Sequence, residues 1–332
     1  MPTSPYSIEF FTTLDSRLRT ADRLFYNRVP KCGSSATIHI IQRLLRFSQR
    51  KPFVFKHSRL FHTERFASKG AADLFVKALD RTNDSLPLMY ERHLYFLDFR
   101  RHNRTNPMYV NLVRRPVDRF ISEYYFRRFE HPKKMPGEVR NRTFDECVFG
   151  DYAECQTRNA FVIIPFFCGQ HPLCVTPTRL ALDRAKYNVD RYYGPIGLTE
   201  DLLMSYALFE QTLPRYFTNV TIAARRYLTH LKKRFKTHKK PVASEMAVQL
   251  MDSRLSLENE FYDFVKTRFS AFVKHYDSQI YLENILKSNA TIDLQRKTIK
   301  RKQTKRLIKH VTTSNDIVRH QFRRKKKVIR ST

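Results

Sequence analysis

Short apolar runs alternate along this chain with helical patterns of roughly ten to fifteen residues, and that alternation constrains the fold more than any single motif does. Leu24–Val29, Leu86–Glu91, Met108–Val113 and Tyr192–Leu198 read as strands. Ala36–Phe47, Glu64–Leu79, Val117–Phe129, Arg179–Asn188 and Glu200–Phe217 carry apolar residues at helical spacing, and Ser244–Tyr276 reads as one long or broken helix. Strands separated by helices cannot pair as hairpins; they pair in parallel, with the connecting helices laid on both faces. The expected class is therefore α/β, with a central parallel sheet between two helical layers. Pro116 suits the first position of a helix, and Thr199 before Glu200 and Asp201 suits a helix start. Residues 131–176, rich in proline and cysteine, read as an elaborated loop region within the same domain.

Charge is the compositional anomaly. The 332 residues include 62 Lys or Arg against 31 Asp or Glu, a formal net charge of +31, while 42% hydrophobic residues exclude a wholly disordered chain. Residues 295–332 hold fifteen Lys or Arg against the single acid Asp316, and the remainder is still strongly basic. Polynucleotide, acidic membrane and acidic polysaccharide all answer such a charge. No finger spacing, aromatic RNA-reading motif or helix-turn-helix favours a specific nucleic acid. The division expected is an N-terminal remnant or stem over 1–23, a domain over 24–286, and a basic tail over 287–332 that lacks apolar periodicity.

No stretch approaches the ~20 apolar residues that cross a bilayer, and the first fifteen residues lack a basic and then apolar leader pattern. Asn83, Asn103, Asn141, Asn219 and Asn289 stand in Asn-x-Ser/Thr glycosylation sites, which point instead to a secretory compartment. Cys147, Cys155, Cys168 and Cys174 are clustered and Cys32 stands far upstream. Their intervals are wide for compact metal ligation and there is no CxxC, so no metal is expected; spacing alone leaves the disulfide connectivity, and free thiols, open.

Three segments carry chemistry. In YNRVPKCGSS, Lys31 stands at a strand end while Gly33, Ser34 and Ser35 open a helix, whose free amides and dipole favour an anion. The order differs from the Walker A pattern, because the lysine precedes the glycine. In LVRRPVDRFISEYYFRRF, Arg114 at a strand end and Ser122 on the following helix can meet one phosphate; Arg119, Arg127 and Arg128 read alternatively as a solvated face. In MYERHLYFLDF, His93 lies just past a strand, and a histidine suits removal of a hydroxyl proton.

In this order, and with FDEC and IPFFCGQHPLC in the cysteine region, these segments resemble the uronyl 2-O-sulfotransferase and heparan sulfate 2-O-sulfotransferase family; the likeness covers roughly residues 24–276. The resemblance implies a three-layer, P-loop-like sulfotransferase fold and the donor 3′-phosphoadenosine 5′-phosphosulfate (PAPS), with no metal. It implies donor contacts from Lys31, Cys32, Gly33, Ser34, Ser35, Arg114 and Ser122, with His93 as catalytic base and Lys31 at the leaving phosphate. Arg28 is matched to a charged contact at the reaction centre; Lys239 and Lys240, which follow a helical stretch, are expected in a loop closing over donor or acceptor. Glu91 stands where the heparan branch resembles a second active-site histidine, which the uronyl branch also lacks, so the acceptor leans towards dermatan or chondroitin sulfate over heparan sulfate. Glu91 itself is expected either to orient a neighbour at the acceptor or to face solvent. The same resemblance implies disulfides Cys147–Cys155 and Cys168–Cys174, a homotrimer with subunit contacts near Gln279–Leu286, a segment apolar enough to add an edge strand, and a Golgi lumen location through an N-terminal anchor outside this sequence.

Overall fold

Five parallel strands form the centre of the fold. The computed structural model describes residues 6–47, 52–57, 64–80, 86–130, 136–234 and 240–287. Strands β1 (Arg23–Tyr26), β2 (Val54–His57), β3 (Leu88–Glu91), β4 (Met108–Val113) and β5 (Tyr193–Leu198) lie in the order β2-β3-β1-β4-β5, and every adjacent pair is parallel. β3, β4 and β5 are buried along their whole length and β1 from Leu24 onwards, as strands covered on both faces must be. β2 gave no long apolar run because it is only half-buried and ends in Lys56-His57, whereas β5, the other edge strand, is covered along its length.

Helices α1 (Ile8–Arg19), α2 (Ser34–Phe47), α3 (Lys69–Asp80) and α4 (Pro116–Glu130) are followed, later in the chain, by helices at Arg179–Tyr192, Leu202–Thr212, Val220–Arg234, Glu245–Arg254 and Ser256–His275. They cover the sheet on both faces: α2 packs with Val220–Arg234, while Leu202–Thr212, Arg179–Tyr192 and Ser256–His275 pack on β5. The residues up to Leu282 form one unit, and a second begins at Glu283. α1 falls in the 1–23 segment that the sequence set apart. It is capped by Ser7 and buries Phe11, Leu14 and Leu18, with the Phe11 ring stacked on His275 at 3.8 Å between centroids.

Three expectations are corrected. The described part of the 131–176 region, residues 136–176, is largely helical, with short helices at Gly137–Asn141, Phe144–Phe149, Thr157–Ala160 and Ile163–Cys168. Ile163–Cys168 is buried on every side, so it has no polar face to create a period. The disulfides Cys147–Cys155 and Cys168–Cys174 close this region, with Cα separations of 5.9 and 5.4 Å, and Cys32 is free. The expected helix from Glu64 begins only at Lys69, where the Ser68 hydroxyl accepts from the Ala71 amide at 3.2 Å. The segment near Gln279–Leu286 adds no edge strand: residues 278–287 are helical, and their less exposed positions, Ser278, Tyr281, Leu282, Ile285 and Leu286, recur at helical spacing. No described helix is long and apolar enough to cross a membrane.

Candidate active site

All strands being parallel, the residues that follow β1, β3 and β4 emerge at one edge of the sheet, and the strand order reverses beside β1, where such sheets open a crevice. A buried polar network fixes the exit of β1. The Asn27 side chain donates to the carbonyls of Leu94 (3.3 Å) and Phe166 (2.9 Å), while its Oδ1 accepts from the Tyr193 hydroxyl at 3.1 Å. Asn111 of β4 donates to the Asn27 carbonyl at 2.7 Å. Asn27 thus ties β1 to β4, to β5 and to the segment after β3, and the next residue is Arg28.

The chain then makes a tight loop. Lys31 has φ 66° and Gly33 φ 75°, both left-handed, a conformation costly for lysine and natural for glycine. α2 starts at Ser34, so the first amides of the helix have no intrahelical acceptor and face the loop. The first turn is anchored by Thr37, whose amide and hydroxyl both donate to the Gly33 carbonyl, at 3.3 and 3.2 Å. Ser34 is buried and Ser35 exposed. The Lys31 ammonium sits 3.7 Å from the centre of the Phe126 ring of α4, and burial, opposed by Glu123 and reinforced by Arg114, lowers its pKa. Cys32 is fully buried, and burial pushes its thiol up to about 12 against the pull of Arg119 and Arg114; it is a packed neutral thiol rather than a nucleophile.

Arg114 follows β4 directly and Ser122 lies half-buried on α4. One turn before Ser122 is Arg119, and here the reading of a solvated face fails. Arg119 is 1% exposed, and among the described residues none of its three guanidinium nitrogens has a hydrogen-bond partner. Arg128 is also buried and donates to Glu154 at 2.5 Å, so only Arg127 of the three is exposed. Lys31 and Cys32 both feel the charges of Arg114 and Arg119. A buried guanidinium without an acceptor is costly, and an anion held by this loop relieves it. Glu258, fully buried, also feels Arg119; burial raises it to about 7 while the amides of Val162, Ile163 and Ile164 donate to its carboxylate.

Beyond β3, the imidazole Nδ1 of His93 lies 2.9 Å from the Arg28 carbonyl oxygen. A carbonyl only accepts, so Nδ1 carries the proton and Nε2 presents its lone pair. Burial, with the Arg28 charge second, pushes the imidazole down to about 4. The Arg28 guanidinium in turn pairs through Nε with Glu91 at 2.6 Å, and the other oxygen of Glu91 is bonded to His57 Nδ1. Glu91 is 1% exposed. Glu91 joins β2, β3 and the exit of β1, and does not face solvent.

These elements match a known pattern. Residues 16–265 fit the profile of the sulfotransferase family. The chain belongs to that family. It is 36% identical to human uronyl 2-sulfotransferase over 259 residues, 74% of this chain and 62% of that protein. Over 272 residues it is 33% identical to heparan sulfate 2-O-sulfotransferase 1 of Xenopus laevis, 78% of this chain and 75% of the relative. Identity to the Drosophila melanogaster heparin sulfate O-sulfotransferase is 32% over 259 residues, 74% of this chain and 71% of the relative. The chain thus spans about three-fifths of the length of the human uronyl 2-sulfotransferase.

The structure joins Glu91, Arg28 and His93 in one chain of contacts; Lys31 follows Arg28 in the same loop, with Arg114 electrostatically close to it. Lys239 lies outside the described residues; Lys240 is exposed. Asn103, Asn141 and Asn219 are exposed, as glycan acceptors must be, and Asn83 and Asn289 lie outside the described residues, as does the basic tail from 288. Sequence reasoning missed His57, Arg119 and Phe126. His57 sits on an edge strand with no apolar signature, and nothing in the local sequence separates buried Arg119 from exposed Arg127.

Proposed function

We propose that the chain transfers a sulfuryl group from PAPS to the 2-hydroxyl of a uronic acid residue in a glycosaminoglycan, with dermatan or chondroitin sulfate ahead of heparan sulfate. The observation that carries this reading is the His93–Arg28 hydrogen bond, which leaves an unprotonated Nε2 at the same sheet edge as the Lys31 loop. The amides and hydroxyls of Gly33, Ser34 and Ser35 hold the 5′-phosphate, and Arg114 and Ser122 hold the 3′-phosphate. Arg119, whose guanidinium has no hydrogen-bond partner among the described residues and whose charge reaches Lys31 and Cys32, fits an anionic guest. When bound, the donor supplies an activated sulfuryl group on a phosphate leaving group. His93 Nε2 takes the proton of the attacking hydroxyl, and Lys31 neutralises charge growing on the leaving oxygen. Arg28 orients His93 through its carbonyl and offers positive charge to the acceptor.

The names of the relatives support a uronic acid acceptor, and the basic body supports a polyanion. His57 supports heparan sulfate as the second reading, because β2 brings an imidazole against Glu91, beside the place where the heparan branch has one. Two disulfides and exposed glycosylation sites support the Golgi lumen; a homotrimer remains part of the proposal. The test is 35S transfer from labelled PAPS to desulfated dermatan, chondroitin and heparan chains, followed by disaccharide analysis. We expect label at the 2-position of uronic acid, none with His93→Ala, and loss of both turnover and nucleotide affinity with Lys31→Ala. Label on the hexosamine, or full activity in His93→Ala, refutes the assignment.

A further inference from the structure

The opposite end of the sheet, where the strands begin, carries a second cationic surface that the chemistry above does not use. Two clefts adjoin there and share Arg17 and Asn106. The first, about 690 Å³, is walled by Arg17 of α1, Arg100 and Arg191; the second, about 670 Å³, by Arg17, Arg23 at the start of β1 and Arg104. Arg100 and Arg191 flank the ring of Tyr192, their guanidinium carbons 5.0 and 6.0 Å from its centre.

The acids nearby are mostly engaged. Asp98 holds Arg100 through Nε and Nη2 at 2.8 and 2.7 Å, Asp22 pairs with Arg215 at 2.5 Å, and Asp190 accepts from the Tyr6 hydroxyl at 3.0 Å beside Arg268. Glu9 is the remaining carboxylate of the wall. Arg17 and Arg191 make no ion pair with a described carboxylate. Burial, and after it the charge of Arg191, lowers the pKa of Arg17, so these two cations repel each other across the cleft. Such a pair gains from a shared polyanion.

We propose that the joined clefts around Arg17 and Arg191 are a second binding site for the acidic polysaccharide, taking the sulfates and carboxylates of a stretch of chain remote from the sugar being modified. The inference rests on the glycosaminoglycan reading above. The six residues of β4 put this site on the order of 20 Å from the His93 edge. A short acceptor reaches one site; a long chain occupies both, and the second contact then acts at high effective concentration.

The test compares the full chain with an Arg17→Gln, Arg191→Gln double variant, using long dermatan and heparan sulfate chains, short oligosaccharides of the same composition, and the product nucleotide. We expect long chains to bind about tenfold more weakly at low salt, with a salt slope reduced by about two. KM for long chains should rise in proportion, with kcat, the KM for short acceptors and nucleotide affinity unchanged. Arg191→Gln alone, at an exposed position, should give part of the effect and guards against misfolding of the double variant. Unchanged long-chain affinity overturns the proposal, and so do equal losses for short and long chains. If the wild type sulfates no uronic acid while the variant still loses long-chain affinity, the proposed reaction fails and the second site stands.

Discussion

Removing the Glu91 carboxylate tests whether the site is held by the contact chain from His57 through Arg28 to His93. Glu91 is 1% exposed and bridges Arg28 Nε at 2.6 Å and His57, while the Arg28 side chain is itself only 13% exposed. Glu91→Ala leaves that guanidinium buried without its counter-charge, a loss of about 4 kcal/mol by analogy with other broken buried pairs. Glu91→Gln keeps the shape and one acceptor for Arg28 but forfeits the charge, for about 2 kcal/mol. In a domain of this size these figures correspond to falls in Tm of roughly 10 and 5 °C. Because the Arg28 carbonyl aims the His93 ring, displacement of Arg28 also misplaces Nε2, and an error near 1 Å costs about a hundredfold in kcat. Nucleotide binding should stay close to wild type, since the Lys31 loop is anchored separately through Thr37. The assays are thermal unfolding, product-nucleotide calorimetry and 35S transfer. Wild-type Tm and kcat in Glu91→Ala would refute the contact chain, and a loss confined to nucleotide affinity would place Glu91 at the donor instead.

Two further outcomes follow from the same geometry. His93 is pushed down to about 4, so the free imidazole is already neutral above pH 5; the acid limb of kcat/KM should fall below the 6.5 of an ordinary histidine, and a limb at 6.5 or higher, absent in a His93 variant, would contradict the burial argument. Non-reducing peptide mapping should recover Cys147–Cys155 and Cys168–Cys174 with Cys32 as a thiol, and Cys168→Ser with Cys174→Ser should cost about 2 kcal/mol of stability; four free thiols in secreted protein would contradict both.

The alternation of apolar runs and helical periods sufficed for the parallel sheet, because a strand covered on both faces has to be apolar throughout and its crossover helix has to be amphipathic. The same logic located the Lys31 loop and the Arg114 and Ser122 segment at strand ends, where backbone direction alone decides which edge they occupy. It failed at β2, since an edge strand need be apolar on only part of its surface, and at Ile163–Cys168, since a helix buried all round has no period. Glu91 shows what one dimension cannot carry: a glutamate after an apolar run reads equally as a solvent-facing end or a buried clamp. Only the parallel register that sets it beside Tyr26 and His57 makes it the clamp. The local sequence thus determined the layers and the order of the phosphate-binding loops, since periodicity records how each segment meets its neighbours. Tertiary structure alone decided which charges are paired, buried Arg119 without a hydrogen-bond partner among the described residues and drew Arg17 and Arg191 together, because those relations join residues far apart in the chain whose burial no local pattern encodes.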